Sequence, residues 1–143
     1  MKAVANRFVL DASVAVAWCF DDESTAFTEN VLDMLSAGAE AITPAIWPLE
    51  VANGLLMAER RKRITVAQVT ALLGRIAHLP ISVESINPEQ VFTQILSVAR
   101  QLHLTQYDAA YMELALRQAL PLATLDGDLR QAARLAGTQL VSV

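Results

Sequence analysis

The sequence predicts an α/β fold of three layers, in which a mostly parallel central sheet is covered by helices on both faces. Two features predict it. Short apolar runs of β-prone residues alternate with longer segments whose apolar residues recur at helical spacing. The first run, Phe8-Val9-Leu10, has no polar face, which is typical of a parallel strand buried on both sides. Strands that alternate with helices imply right-handed crossovers.

Length and composition predict one domain over residues 1–143. Apolar residues make up 54% of the chain and the mean hydropathy is +0.36, both high for a soluble protein. No apolar run approaches the roughly 18 residues of a membrane span, so we expect no membrane span and a surplus of apolar surface at a partner or homodimer interface. A single cysteine, Cys19, and a start without a signal-peptide region predict a cytoplasmic protein.

The first half of the chain is predicted from its capping residues. Ser13 suits the N-cap of a helix that carries the apolar run 14–20. A second helix covers about 25–37 and ends at Gly38, before a short strand at 41–43. The next helix runs from 46 to about 60, and its proline falls in the first turn, where proline is tolerated.

In the second half, Thr65 caps a helix over 66–78, and a strand follows at 81–83. Asn87 and Pro88 begin a helix that extends to Leu102, with Phe92 among the residues expected on its inner face. The remaining predicted elements are a helix over 105–119, a strand over 120–125, a helix from about 126 to 135 and a strand over 139–143.

Four carboxylates occupy positions that can meet at one edge of this sheet. Asp11 and Asp126 are the polar residues that end the first and fourth apolar strands. Glu50 lies in the first turn of the helix after the second strand, and Asp108 lies at a helix N-terminus. Open α/β sheets bind ligands at the carboxyl ends of their strands. We therefore expect these four side chains to converge.

Four neighbouring carboxylates repel one another, and their pKa values rise unless a cation is present. Oxygen ligands without a histidine or cysteine set select Mg²⁺ or Mn²⁺ over Zn²⁺. Such a site can activate water and bind phosphate oxygens. The pattern predicts a metal-dependent enzyme that hydrolyses phosphodiester bonds.

The net charge of −4 does not exclude a nucleic-acid substrate. Removing four site carboxylates from the 15 acidic residues leaves 11, which equals the 11 lysines and arginines. Divalent cations at the site would therefore leave a balanced surface, although tight non-specific binding to nucleic acid is not expected.

Four segments of the sequence resemble the PIN-domain family, and specifically VapC-type toxin ribonucleases of type II toxin–antitoxin systems. The segments are Val9-Leu10-Asp11-Ala12-Ser13, Trp47-Pro48-Leu49-Glu50-Val51-Ala52-Asn53, Tyr107-Asp108-Ala109-Ala110-Tyr111 and Ala123-Thr124-Leu125-Asp126-Gly127-Asp128. Each segment alone is a weak signal, but their order and spacing together are specific.

The resemblance implies that the four acids bind the metal, with Ser13 supporting Asp11 and Thr124 packing beneath Asp126. It implies a three-layer PIN-like fold with strand order 3-2-1-4-5. It also implies RNA as the substrate, a cognate antitoxin that blocks the groove, and a homodimer or toxin–antitoxin hetero-oligomer.

Several neighbouring residues have two interpretations. Asp128 is either a weaker ligand or the N-cap of the last long helix, and Asn53 is either a support for Glu50 or an ordinary surface residue. The basic run Arg60-Arg61-Lys62-Arg63 could follow an RNA backbone. Cations are also common at a solvated helix C-terminus, and this second interpretation is favoured for the basic run.

The sequence also bears on two other classes of function. A dehalogenase-like phosphatase would need a second aspartate where this chain has Ser13, and a receiver domain would need a late lysine, whereas the only lysines are Lys2 and Lys62. A non-catalytic PIN-like interaction module, whose carboxylates attract a cationic partner, is compatible with the sequence. Metal binding by the free protein distinguishes this module from the nuclease.

Overall fold

The computed structural model of the chain describes residues 6–142. Its central feature is a parallel sheet in the order β3-β2-β1-β4, flanked by helices. The strands are β1 (Arg7–Leu10), β2 (Glu40–Thr43), β3 (Ile81–Val83) and β4 (Leu122–Ala123). The three-layer α/β prediction is confirmed.

Helices occupy the segments between the strands, as the apolar periodicity predicts. Thr25 and Thr65 cap their helices with side-chain hydrogen bonds, and both use the reciprocal capping-box arrangement. The helices are α1 (Ala12–Ala17), α2 (Ala26–Ser36), α3 (Trp47–Arg60), α4 (Val66–Ala77), α5 (Pro88–Gln90), α6 (Leu96–Leu102), α7 (Gln106–Gln118) and α8 (Gly127–Ala136), with a 3-10 turn at Asp21–Glu23.

The core lies around β1. Phe8, Val9 and Leu10 are completely buried, which confirms that this strand is covered on both faces. A smaller apolar cluster of Phe20, Leu55 and Ala58 packs against Val69, Leu72 and Leu73 of α4. No helix within residues 6–142 has the length and apolar character to cross a membrane.

The predicted fifth strand is reduced to a single bridge. Leu140 pairs with Leu122 in parallel, and two backbone hydrogen bonds of 2.9 Å join Leu122 to Gln139 and Val141. The neighbouring strand β4 is only two residues long, because Pro121 has no N–H to donate and the chain turns after Ala123. The last segment therefore occupies the fifth position without forming a strand, and Val143 lies outside the described residues.

The helix predicted over 88–102 is present, but it is not uniform. Its middle turn, Val91–Ile95, has π-helical hydrogen bonds, which rotate the residues that follow relative to a regular helix. Phe92, predicted on the inner face, is 71% exposed. The prediction of a regular amphipathic helix was wrong for this turn.

Candidate active site

Asp11 and Asp126 are brought together by the pairing of β1 with β4. Leu10 pairs with Ala123 in parallel register, and the Asp11 N–H donates to the Ala123 carbonyl at 2.9 Å. Both strands therefore end at the same edge, where the order of the sheet reverses between β1 and β4. The expectation that the two strands are neighbours is confirmed.

Asp11 is a buried carboxylate, with only 5% of its surface exposed. The Ser13 hydroxyl donates to its Oδ2 at 2.6 Å, and the Thr124 hydroxyl donates to the same oxygen at 2.7 Å. Burial raises the pKa of Asp11, and the two hydroxyl donors only partly oppose this increase. The structure thus fixes the orientation of Asp11 and makes its negative charge costly.

Ser13 does not cap α1, contrary to the sequence-based prediction. The N-cap position is Asp11, and its side chain makes no capping hydrogen bond. The Ser13 hydroxyl lies between the two strand ends, where it donates to Asp11 and accepts from the Leu125 N–H at 3.0 Å. A supporting role beside Asp11 agrees with these contacts.

Thr124 links the two aspartates directly. While its hydroxyl donates to Asp11, the same oxygen accepts from the Asp126 N–H at 3.0 Å. The Thr124 carbonyl accepts from Arg130 Nη1 at 2.8 Å, which ties the loop to α8. Asp126 caps α8 by accepting from the Leu129 N–H at 2.9 Å, so Asp128 is not the N-cap.

Glu50 is held by a residue that the sequence did not assign to the site. The fully buried Tyr111 of α7 donates its phenolic O–H to Glu50 Oε1 at 2.6 Å. Burial and the charge of Asp11 raise the pKa of Glu50, whereas the Tyr111 hydrogen bond lowers it. From the sequence, Tyr111 is expected in the core or at an interface, with base stacking as a less favoured alternative, and no local pattern indicates a hydrogen bond to Glu50.

Asp108 lies in the first turn of α7, where its backbone N–H donates to Thr105 Oγ1 at 3.1 Å. Its pKa is raised to about 6, first by burial and then by the negative charges of Asp126, Asp11, Glu50 and Asp128. Asp108 therefore lies within electrostatic reach of the other three acids predicted from the sequence, and Asp11 lies within reach of Asp126 and Glu50.

The four acids do not form a ready metal-binding cluster in this structure. Among residues 6–142, no three histidine, cysteine, aspartate or glutamate side chains are positioned to hold one metal ion. Hydrogen bonds from Ser13, Tyr111 and the Leu129 N–H occupy one oxygen each of Asp11, Glu50 and Asp126. The donor set fits a hard divalent cation in chemistry, but it would need side-chain rotation to close around one.

The residues predicted around the site differ in placement. Asp128 is exposed, and its negative charge contributes to the raised pKa of Asp108. Asn53 is exposed on α3. All four residues of the basic run 60–63 are exposed. Arg63 is engaged within the protein: it pairs with Asp22 and Glu23 at 3.1 Å each and lies over the ring of Phe20 at 4.3 Å.

The family profile of the PIN domain matches residues 8–135, which include every acid of this site. The chain belongs to the PIN-domain family. The resemblance to the PIN-domain family found in the four sequence segments is thereby confirmed. A search of curated proteins gave no match.

Several solved structures share the fold of this PIN domain. The protein PAE2754 from Pyrobaculum aerophilum is 23% identical with a TM-score of 0.66, over 94% of this chain and 100% of that one. VapBC2 from Rickettsia felis, bound to a DNA fragment from its promoter, is 13% identical with a TM-score of 0.66, over 94% and 97%. The sarcin–ricin-loop-cleaving toxin VapC20 of Mycobacterium tuberculosis is 14% identical with a TM-score of 0.66, over 95% and 99%.

Proposed function

We propose that this PIN domain is a Mg²⁺- or Mn²⁺-dependent endoribonuclease that acts as the toxin of a toxin–antitoxin pair. The observation that carries the proposal is the electrostatic coupling of four acids at the edge where β1 and β4 end. The pKa of Asp108 is raised to about 6 by the other acids as well as by burial. A site that concentrates negative charge in this way is suited to a divalent cation.

The four acids have distinct supports in this proposal. Asp11 is oriented by Ser13 and Thr124, Glu50 by Tyr111, and Asp126 by the backbone at the start of α8. Asp108 accepts no hydrogen bond from the described part of the protein, so both of its oxygens are available. When bound, Mg²⁺ or Mn²⁺ lowers the pKa of water and polarises a phosphate group. The four acids would hold the cation after side-chain rotation, and the hydroxyls of Ser13, Thr124 and Tyr111 orient Asp11 and Glu50 beside it.

The choice of RNA and of an antitoxin partner rests on the likeness to VapC-type toxins, one of which cleaves the sarcin–ricin loop. Large apolar side chains on the surface agree with a protein partner or a second copy of the chain. Leu49 of α3 and Leu135 of α8 are 69% and 73% exposed. With RNA as the substrate, we expect the protein to act in the cytoplasm.

The test replaces an acid without changing its shape. Asp11→Asn and Asp126→Asn should each abolish RNA cleavage and relieve growth arrest, because a neutral amide cannot balance the charge of the cation. Asn remains a good N-cap, so Asp126→Asn should fold. Asp33→Asn, an exposed change on α2, is the matched control. Retained cleavage in either site variant, or cleavage that EDTA leaves unchanged, would contradict the proposal.

A second candidate is the non-catalytic interaction module. It is favoured by the separation of the acids, since no three of the described residues stand ready to hold one ion. Titration with Mn²⁺ distinguishes the two. The nuclease binds Mn²⁺ through Asp11 and loses that binding in Asp11→Asn, whereas the module binds no Mn²⁺ in the free protein.

A further inference from the structure

Arg130 of α8 contacts the turn that joins β4 to α8 and carries Asp126. Its Nη1 donates to the Thr124 carbonyl at 2.8 Å. We propose that Arg130 is a positioning residue, which holds this turn so that Asp11 and Asp126 can share one cation. The inference rests on the proposed nuclease function and adds to it a residue that acts through the backbone.

The Thr124 carbonyl and the Leu125 N–H belong to one peptide group. A peptide group is planar and trans, so its C=O and its N–H point in opposite directions. Arg130 donates to the carbonyl on one side at 2.8 Å, and Ser13 Oγ accepts from the N–H on the other side at 3.0 Å. This peptide plane is therefore held at both ends, and it cannot rotate without breaking one of the two bonds.

The same peptide plane lies between the hydrogen bonds that orient the two aspartates. The Ser13 hydroxyl, which accepts from the plane, donates to Asp11 Oδ2 at 2.6 Å. The Thr124 hydroxyl donates to Asp11 Oδ2 at 2.7 Å and accepts from the Asp126 N–H at 3.0 Å. Rotation of the plane would disturb both hydroxyls. A residue that fixes the plane therefore acts on both acids without touching either.

The Thr124 carbonyl depends on the guanidinium for its hydrogen bond. Thr124 is completely buried, and β4 ends one residue before it, at Ala123. Among residues 6–142, the donor to this carbonyl is Arg130. A buried carbonyl without a hydrogen bond is unfavourable. Without the guanidinium, we expect the peptide group to turn toward another donor or toward water.

The guanidinium of Arg130 is itself held in place. The residue lies one helical turn after Asp126, and side chains on a helix point toward its N-terminus, where the turn is. The guanidinium lies over the ring of Phe27 of α2 at 5.6 Å. No carboxylate within residues 6–142 pairs with it, whereas Arg63 and Arg117 each pair with two. Its hydrogen bond in this part of the chain thus goes to the site and not to an ion pair.

The first experiment measures Mn²⁺ binding to Arg130→Met, which keeps an unbranched stem but has no N–H donor and no charge. We expect about tenfold weaker binding in isothermal titration, because residues that orient metal ligands usually contribute 10–100-fold to affinity. Loss of a positive charge alone would strengthen the binding of a cation, so the expected effect has the opposite sign. Loss of stability alone would lower the free energy of unfolding in urea and leave the affinity of the folded protein unchanged.

The matched control is Arg134→Met, which removes the same charge from an exposed position on α8. It should bind Mn²⁺ at least as tightly as the wild type. A second measurement needs no metal: hydrogen exchange in EDTA reports on the Leu125 N–H, which belongs to the peptide plane that Arg130 holds. This amide should exchange several-fold faster in Arg130→Met and at the wild-type rate in Arg134→Met.

Arg130→Lys keeps the charge but offers one ammonium in place of the planar fork. It should bind Mn²⁺ more tightly than Arg130→Met and more weakly than the wild type, and it becomes the test variant if Arg130→Met does not fold. Wild-type Mn²⁺ affinity in the test variant, or weaker affinity with unchanged exchange of the Leu125 amide, would overturn the proposal and leave the nuclease function standing. If the wild type binds no Mn²⁺, the nuclease function fails and the role of Arg130 fails with it.

Discussion

At the scale of single residues, the polar atoms behind the acids decide how the candidate site behaves. Tyr111 is fully buried and its hydroxyl reaches Glu50 across the space between α7 and α3. A buried phenol usually has a hydrogen-bond partner, and here the partner is a site carboxylate whose pKa it lowers. Tyr111 is therefore a positioning residue for Glu50.

Tyr111→Phe should weaken Mn²⁺ binding by about tenfold, because residues that orient metal ligands usually contribute 10–100-fold to affinity. Without the hydroxyl, Glu50 also ionises less readily, since the donor that lowers its pKa is gone. Isothermal titration with Mn²⁺ measures the effect. Tyr107→Phe is the matched control, as it removes an exposed hydroxyl from the same helix. Equal Mn²⁺ affinity in Tyr111→Phe and wild type would exclude this role.

Asp108→Asn should stabilise the metal-free protein, and more so at higher pH. The pKa of Asp108 is about 6 in the folded protein against 3.8 for the free side chain. The folded state therefore binds more protons between these values, and stability falls as the pH rises through about 4 to 6. At pH 7.5 the variant avoids a cost on the order of 1–2 kcal/mol after solvent screening.

Thermal unfolding in EDTA at pH 4 and pH 7.5 measures this difference. We expect Asp108→Asn to raise Tm by at least about 3 °C at pH 7.5 and by little at pH 4. Asp33→Asn, which changes an exposed acid on α2, is the control and should change Tm by the same amount at both pH values. If Asp108→Asn raises Tm equally at pH 4 and pH 7.5, the gain does not come from the ionisation of Asp108. That result would contradict the raised pKa.

The sequence was informative for residues whose role is local. Asp11 and Asp126 could be identified from the sequence because each lies within three residues after the end of a strand. The pairing of β1 with β4 then brings them to one edge of the sheet. The hydrogen bond from Tyr111 to Glu50 joins residues 61 positions apart and depends on the packing of two helices. Ser13 was misassigned as a cap because a hydroxyl at a helix start has the same local pattern whether it bonds to the helix or to a distant loop.

At the scale of elements, the close approach of α1 and α3 depends on Gly54. A Cβ at this position would lie 2.9 Å from Cγ2 and 3.3 Å from Cγ1 of Val16. Valine is stiff at χ1, so it cannot move aside without leaving its rotamer. The absence of a side chain at position 54 allows α3 to pack closely on α1, and α3 also carries Glu50.

Gly54→Ala should lower stability by about 1 kcal/mol, although alanine is the better helix former. Overpacking costs about 1–3 kcal/mol and the gain in helix propensity offsets about 1 kcal/mol of it. In α4, Gly74 is the matched control, because a Cβ there meets nothing within 4 Å. Gly74→Ala should therefore raise stability by up to about 1 kcal/mol. Urea unfolding measures both, and the same sign in the two variants would contradict the packing argument.

Most elements were predictable because their ends carry capping residues or proline, as Thr25, Thr65 and Asn87 do. Two elements were not. The π-helical turn Val91–Ile95 changes which side of the predicted 88–102 helix is exposed. The apolar residues of this segment have the spacing of a regular helix, so the sequence does not indicate the turn. The last segment has the β-prone composition of a strand, but β4 offers it only Leu122 as a partner. Strand pairing depends on the neighbour, which a local pattern does not include.

At the scale of the whole molecule, the four acids come from four different parts of the chain. Asp11 follows β1, Glu50 lies on α3, Asp108 on α7 and Asp126 at the start of α8. Their repulsion acts across the whole sheet edge, and a bound cation would convert it into attraction between all four elements. The membership of the PIN-domain family covers the same span, residues 8–135.

Mn²⁺ should therefore stabilise the entire domain and not only the loops around the acids. A ligand at 100 times its dissociation constant adds about 2.7 kcal/mol to the free energy of unfolding, which corresponds to about 5–10 °C in Tm for a chain of this size. Asp11→Asn should lose most of this increase, while Asp33→Asn should keep it. Hydrogen exchange locates the effect: slower exchange in β1, α3, α7 and α8 together is the expected result. An unchanged Tm in Mn²⁺, or protection confined to one helix, would mean that the acids do not share a cation.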